Sequence, residues 1–136
     1  MPEARFPVRS TPFPSHLLDE VKPVLKDTEW RVLCVVARAT LGWAEGANGQ
    51  RKSQDWLTQS QMKERTGRAT EAISHAIDAL VRQGLLEVRL ETGQMLSTPQ
   101  ERRRCQGNLL FSLGPQARYS PQWWRQFWRW PGGTHR

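Results

Sequence analysis

The chain has 136 residues, 38% of them hydrophobic, with a formal charge of +7, which suits one domain with appendages around a single small core. No run approaches the roughly 20 apolar residues of a membrane span, and the opening "MPEARFPVRSTPFP" lacks the apolar stretch of a signal peptide. Cys34 and Cys105 lie far apart without the spacing of a zinc site or a disulfide framework, so a reducing cytoplasm is the expected compartment.

The first 14 residues hold Pro2, Pro7, Pro12 and Pro14 and are expected to form an extended arm. "SHLLDEVKPVL" reads as a short helix with Ser15 as its N-cap and Pro23 as its stop. "DTEWRVLCVVARATLGW" predicts a helix from about Thr28 to Thr40, nearly encircled by Trp30, Val32, Leu33, Cys34, Val35, Val36, Ala37 and Ala39. Arg31 and Arg38 share its one polar stripe, so this helix belongs at the centre of the core, and Gly42 ends it. "AEGANGQRKSQ" is a polar loop. "DWLT" is then a short strand, and Thr58 with Gln61 forms a capping box that opens a helix to about Thr66.

Gly67 supplies a tight turn. The next helix is expected from about Thr70 to Gln83, with Ile73, Ala76, Ile77 and Leu80 on one side at 3.6-residue spacing and Gly84 as its cap. "LLEVRL" alternates like a half-exposed strand, and "NLLFSL" reads as its antiparallel partner. Between them "ETGQMLSTPQERRRCQG" is expected to be a long, polar, basic loop. In "YSPQWWRQFWRWPGG" Ser120 and Pro121 look like the start of a short helix. It would cluster Trp123, Trp124, Phe127 and Trp128, with Arg125 and Arg129 on one edge. The organisation is an arm (1–14), a domain (15–114) and a Trp/Arg-rich tail (115–136).

Charge is unevenly spread along these elements. Met1 to Leu96 holds 13 Lys/Arg against 12 Asp/Glu, whereas Ser97 to Arg136 holds 7 arginines and the single acid Glu101. An arginine excess of this kind points to a polyanion partner, because the guanidinium fork matches phosphate and guanine.

The element order predicts a mainly α fold with a small β-hairpin, of α+β class: a winged helix-turn-helix followed by an aromatic helical tail. In that arrangement the second helix of the pair enters a major groove about 12 Å wide. Its outer face carries Thr70, Glu71, Ser74, His75 and Asp78, with Arg68 in the turn ahead. Arg68 suits guanine, Thr70 and Ser74 a base edge or phosphate, His75 a purine N7 and Glu71 a cytosine amino group. Each has a plainer role: Glu71 complements the helix dipole, Asp78 is solvated, and His75 is surface decoration.

Arg102, Arg103 and Arg104 on the wing suit a phosphate backbone or a narrow minor groove; otherwise they form a solvated charge run. Arg51 and Lys52 are further backbone candidates, and the helix start at Gln59 and Ser60 can present N–H groups to phosphate. Trp123, Trp124, Phe127 and Trp128 suit core cover, a self-association or partner surface, or a stacking platform for single strands. No G-x-x-x-x-G-K, H-E-x-x-H or G-x-S-x-G is present, and His16, His75 and His135 lack ligand-like neighbours. An enzyme is therefore not expected, and no metal or cofactor is called for.

At "RVLCVVARATLGW" and "DWLTQSQMKERTG" the sequence resembles the N-terminal DNA-binding domain of phage replication initiators of the lambda O type. Pro14-Ser15 stands at the family's Pro-Asn, and Arg38, Thr40, Gly42 and Trp43 match its Arg-x-Thr-x-Gly-Trp. Asp55-Trp56-Leu57-Thr58, Ser60-Gln61 and Thr66-Gly67 match its next segment, so the likeness spans Phe6 to Val88. It implies binding of repeated origin sites, cooperatively or as dimers, in phage or plasmid replication. The expected partners are thus double-stranded DNA and, through the tail, a second copy or a replication protein. Transcriptional regulation on the same fold is the alternative, and a protein-interaction module working through the tail is another.

Overall fold

The computed structural model describes residues 10–43, 50–105 and 108–118. After Pro14 the chain is helical, with a π-helical turn at Leu17–Val21 followed by a 3-10 turn at Lys22–Val24. Ser15 lies inside this helical path and does not cap it. Pro23 sits in the opening of the 3-10 turn, where a missing N–H is tolerated, and the path becomes extended only at Leu25. Proline therefore tightens this segment where a stop was expected. Leu17 and Val21 are buried, and the Phe13 ring lies 5.8 Å from that of Trp30.

Helix α1, Asp27–Leu41, opens with the Glu29 carboxylate accepting from the Lys26 N–H at 3.1 Å. Val32, Leu33, Val35, Val36, Ala37 and Ala39 are buried, while Arg31 and Arg38 face outward along one stripe. Near its end the buried Thr40 hydroxyl donates back to Val36 O at 2.8 Å, which satisfies it without a tertiary partner. Burying a leucine as fully as Leu33 contributes roughly 1.5–3 kcal/mol, so α1 acts as the axle of the core.

The remaining elements are β1 (Asp55–Trp56), α2 (Gln59–Thr66), α3 (Thr70–Arg82), β2 (Leu86–Arg89), α4 (Pro99–Arg104), β3 (Leu110–Leu113) and α5 (Pro115–Arg118). The hairpin gains a third member, because β1 pairs with β3 on the side opposite β2, giving an antiparallel sheet of order β1-β3-β2. Asp55 faces Phe111 in one ladder, and Leu86 faces Leu113 and Arg89 faces Leu110 in the other. The fold is therefore α+β, with helices and a small three-stranded sheet enclosing one core.

Buried Leu80 from α3 and Leu86, Val88, Phe111 and Leu113 from the sheet join the α1 side chains there. Gly84 turns the chain from α3 into β2 with φ +73°, a conformation that costs glycine nothing. Its carbonyl accepts from Gln116 N–H at 3.0 Å, which ties α5 to this corner and buries Ala117. Among the described residues no helix is long and apolar enough to cross a membrane.

Candidate nucleic-acid interface

The α2–α3 corner is held by its own polar groups. Thr58 Oγ1 accepts from the Gln61 N–H at 3.1 Å and the Gln61 side chain accepts from the Thr58 N–H at 3.0 Å, a reciprocal capping box. Gly67 takes φ +70° and donates its N–H to Lys63 O at 2.9 Å. The Thr66 hydroxyl donates to Met62 O at 2.7 Å and accepts from the Arg68 N–H, while Arg31 Nη1 donates to Thr66 O at 2.8 Å. This corner is thus fixed against α1, and with it the direction in which α3 leaves.

Along α3, Ile73, Ala76 and Leu80 are buried and the opposite face is open. Thr70, Glu71 and His75 are exposed, and Ser74 is half-buried. Ala69 stands at the N-cap and provides no side-chain acceptor, so the first-turn N–H groups of α3 keep their capacity to meet an anion. Arg68 lies just ahead of them, but its guanidinium reaches back to Asp27 at 2.5 Å. That hydrogen bond, helped by Arg31, holds the Asp27 carboxyl below its ordinary range.

The segment between β2 and β3 departs from the expected open loop in two ways. First, Gly93 turns the chain back so that Arg89 bridges Met95 and Leu96 N–H donates to Val88 O at 2.8 Å, burying Leu96. Second, the arginines lie on helix α4. Thr98 and Glu101 form its capping box with Pro99 in the first turn, and hydrogen bonds from Thr98 hold the Glu101 carboxyl below its ordinary range.

A helix distributes three successive arginines around its axis, and their roles separate. Arg102 is only 8% exposed. It donates to Leu96 O at 3.0 Å and pairs with Asp78 Oδ1 at 2.5 Å, so it joins α4 to α3 and does not face solvent as expected. Asp78, expected to be solvated, is the acceptor of this buried pair and also meets Arg103 at 3.4 Å. Arg103 remains 58% exposed at its side chain, and Arg104 is exposed as well.

One groove of about 500 Å³ brings these parts together. Thr58 at the cap of α2, Gln59 from α2, Thr70, Ser74 and Asp78 from α3, and Arg103 from α4 line it, whereas Arg68, Glu71, His75 and Arg104 do not. Ser60 is exposed on the first turn of α2. Arg51 and Lys52 lie elsewhere: Arg51 is exposed, and Lys52 pairs with Asp55 at 2.8 Å beside a second groove. Trp123, Trp124, Phe127 and Trp128 fall outside the described residues.

Chemically the arrangement offers hydroxyl, imidazole and carboxylate groups over an open helix face with cations at its edge. Among the described residues no cluster of His, Cys, Asp and Glu could hold a metal ion. Sequence reasoning missed two acceptors, Asp27 for Arg68 and Asp78 for Arg102. It also missed α4, although "TPQE" carries the signal: a threonine, a proline at the first helical position and a glutamate two residues later. No protein-family model, curated protein or solved structure matches this chain.

Proposed function

We propose that this protein binds double-stranded DNA with sequence preference as a winged helix, with α3 as the recognition helix and α4 as part of the wing. One observation carries the reading: Thr70 and Ser74 of α3 and the exposed Arg103 border a single groove that also reaches the start of α2, and the exposed Glu71 and His75 stand on the same helix outside it. Short side chains at Thr70 and Ser74 let a helix backbone approach base edges, and His75 and Glu71 supply a donor and an acceptor of longer reach. Arg103, Arg104 and the N–H groups at Gln59 and Ser60 suit phosphates, which fix position without reading sequence. Arg102 serves this role indirectly, by holding α4 against α3 through Asp78.

Arg68 supports the reading on one condition. It must exchange Asp27 for a guanine edge, a change from a solvent-exposed ion pair, which contributes little, to a bidentate contact worth about 1–3 kcal/mol of discrimination. The likeness to initiators of the lambda O type favours replication origins over promoters as the sites bound. Selection from a random duplex pool, followed by affinity measurements on selected and unrelated duplexes, tests both levels. Arg68→Ala and Ser74→Ala should weaken selected sites more than unrelated DNA, whereas Arg103→Ala with Arg104→Ala should weaken both alike. Tandem repeats among bound genomic fragments support origin binding, and promoter palindromes support regulation. Equal losses from the two kinds of variant would remove the assignment of α3 to base reading.

A further inference from the structure

A second groove, of about 770 Å³, shares no lining residue with the one beside α3. It follows the outward stripe of α1, with Val35 and Ala39 in its lining and Trp30 and Trp43 among its walls. Four cations line it, Arg31, Arg38, Lys52 and Arg65, against the one carboxylate of Asp55. Asp55 is occupied by Lys52, and Arg31 is occupied by Asp27 and Thr66 O. Arg65 and Arg38 make no ion pair among the described residues; Arg38 lies instead over the Trp43 indole, 5.3 Å from its centroid. Trp43 nevertheless stays 51% exposed, although an indole gains by leaving water.

We infer that this groove binds single-stranded nucleic acid, with a base stacked on Trp43 and the sugar-phosphate strand running along Arg38 and Arg65. Guanidiniums without an ion pair among the described residues, one of them packed on a half-exposed indole, are the two elements that hold unpaired strands without sequence preference. A duplex cannot use the ring, because its bases are already stacked within the helix. An acidic peptide can use the cations but has no aromatic face at each repeat. The inference does not depend on the α3 reading, since the two surfaces have no residue in common.

The test is fluorescence anisotropy of a labelled oligothymidylate on the full chain, alongside a duplex of mixed sequence. An oligouridylate arm tells DNA from RNA. Trp43→Ala should weaken oligothymidylate binding at least about fivefold, and Arg65→Glu should weaken it and flatten its salt dependence by about 0.7 in log-log slope for each phosphate no longer neutralised. Duplex affinity should stay within about twofold of the unchanged chain for Trp43→Ala. Arg65 is exposed and makes no ion pair among the described residues, so Arg65→Glu remains decisive should Trp43→Ala fail to fold. The inference is overturned by any of three results: no oligothymidylate binding, binding that neither variant weakens, or single-strand and duplex affinities that fall in parallel. Displacement of oligothymidylate by oligoglutamate of equal charge would also overturn it, because charge alone would then suffice.

Discussion

Replacing Asp78 by alanine removes the acceptor that joins α3 to α4. Arg102 Nη2 lies 2.5 Å from Asp78 Oδ1, and Arg102 is 8% exposed, so its charge would be left buried with only Leu96 O, at 3.0 Å, as partner. Breaking a buried pair from one side costs about 3–5 kcal/mol. The Asp78 side chain is 19% exposed, and alanine favours a helix over aspartate by up to about 0.7 kcal/mol. Together these reduce the expected loss to about 2–3 kcal/mol.

In urea this is a fall in midpoint on the order of 1–2 M at unchanged slope. Arg102→Met is the informative control, because it removes the buried charge, keeps the apolar stem, and leaves Asp78 to Arg103 and solvent. Its loss should be near 1 kcal/mol, since a buried ion pair can often be replaced by apolar volume at small cost. An Asp78→Ala loss below about 0.5 kcal/mol, or one smaller than that of Arg102→Met, would refute the view that this pair fastens α4.

Three further outcomes follow from the same geometry. Asp27 has its carboxyl held below the ordinary value of 3.8, first by Arg68 and then by Arg31. A lowered native value adds stability above the ordinary one, and the gain is lost as pH falls through the native value. Asp27→Asn should therefore lower the denaturation midpoint at pH 7, with the gap closing as the pH drops below 3.8; a gap independent of pH would contradict the pairing. Gly67→Ala, at φ +70°, should destabilise by about 1–2 kcal/mol in thermal unfolding, and an unchanged melting temperature would contradict a left-handed turn there. Thr98→Ala should cost about 1 kcal/mol through loss of the α4 cap and, by loosening Arg103, should weaken duplex binding in titration. Unaltered stability would show that α4 does not depend on its cap.

Much of the fold was legible because it rests on local rules. The apolar girdle of α1, the Thr58–Gln61 box, Gly67, and the spacing of Ile73, Ala76 and Leu80 each state a backbone choice within a few residues. Ion pairing is different. Asp27 meets Arg68 and Asp78 meets Arg102 only after the chain has folded, across 41 and 24 residues, and no local pattern announces either.

The arginine run misled for a related reason. Read as a loop, it offers three equivalent charges, whereas a helix separates their directions and the packing of α4 on α3 turns Arg102 inward. The β1–β3 pairing was hidden because two residues are too few to show alternation. Trp43 stood out only as the end of a helix signature; the groove that gives it a use is assembled from α1, α2 and the loop at Lys52.

Duplex affinity against salt, for the unchanged chain and for Arg103→Ala with Arg104→Ala, tests DNA binding beside α3 most directly. The expected result is a steep fall in log affinity with log salt, made shallower in the double variant by about 0.9 for each phosphate that loses its arginine. Affinity for duplex DNA that is flat with salt, or a slope the double variant leaves untouched, would contradict a cationic edge beside α3 that grips the DNA backbone.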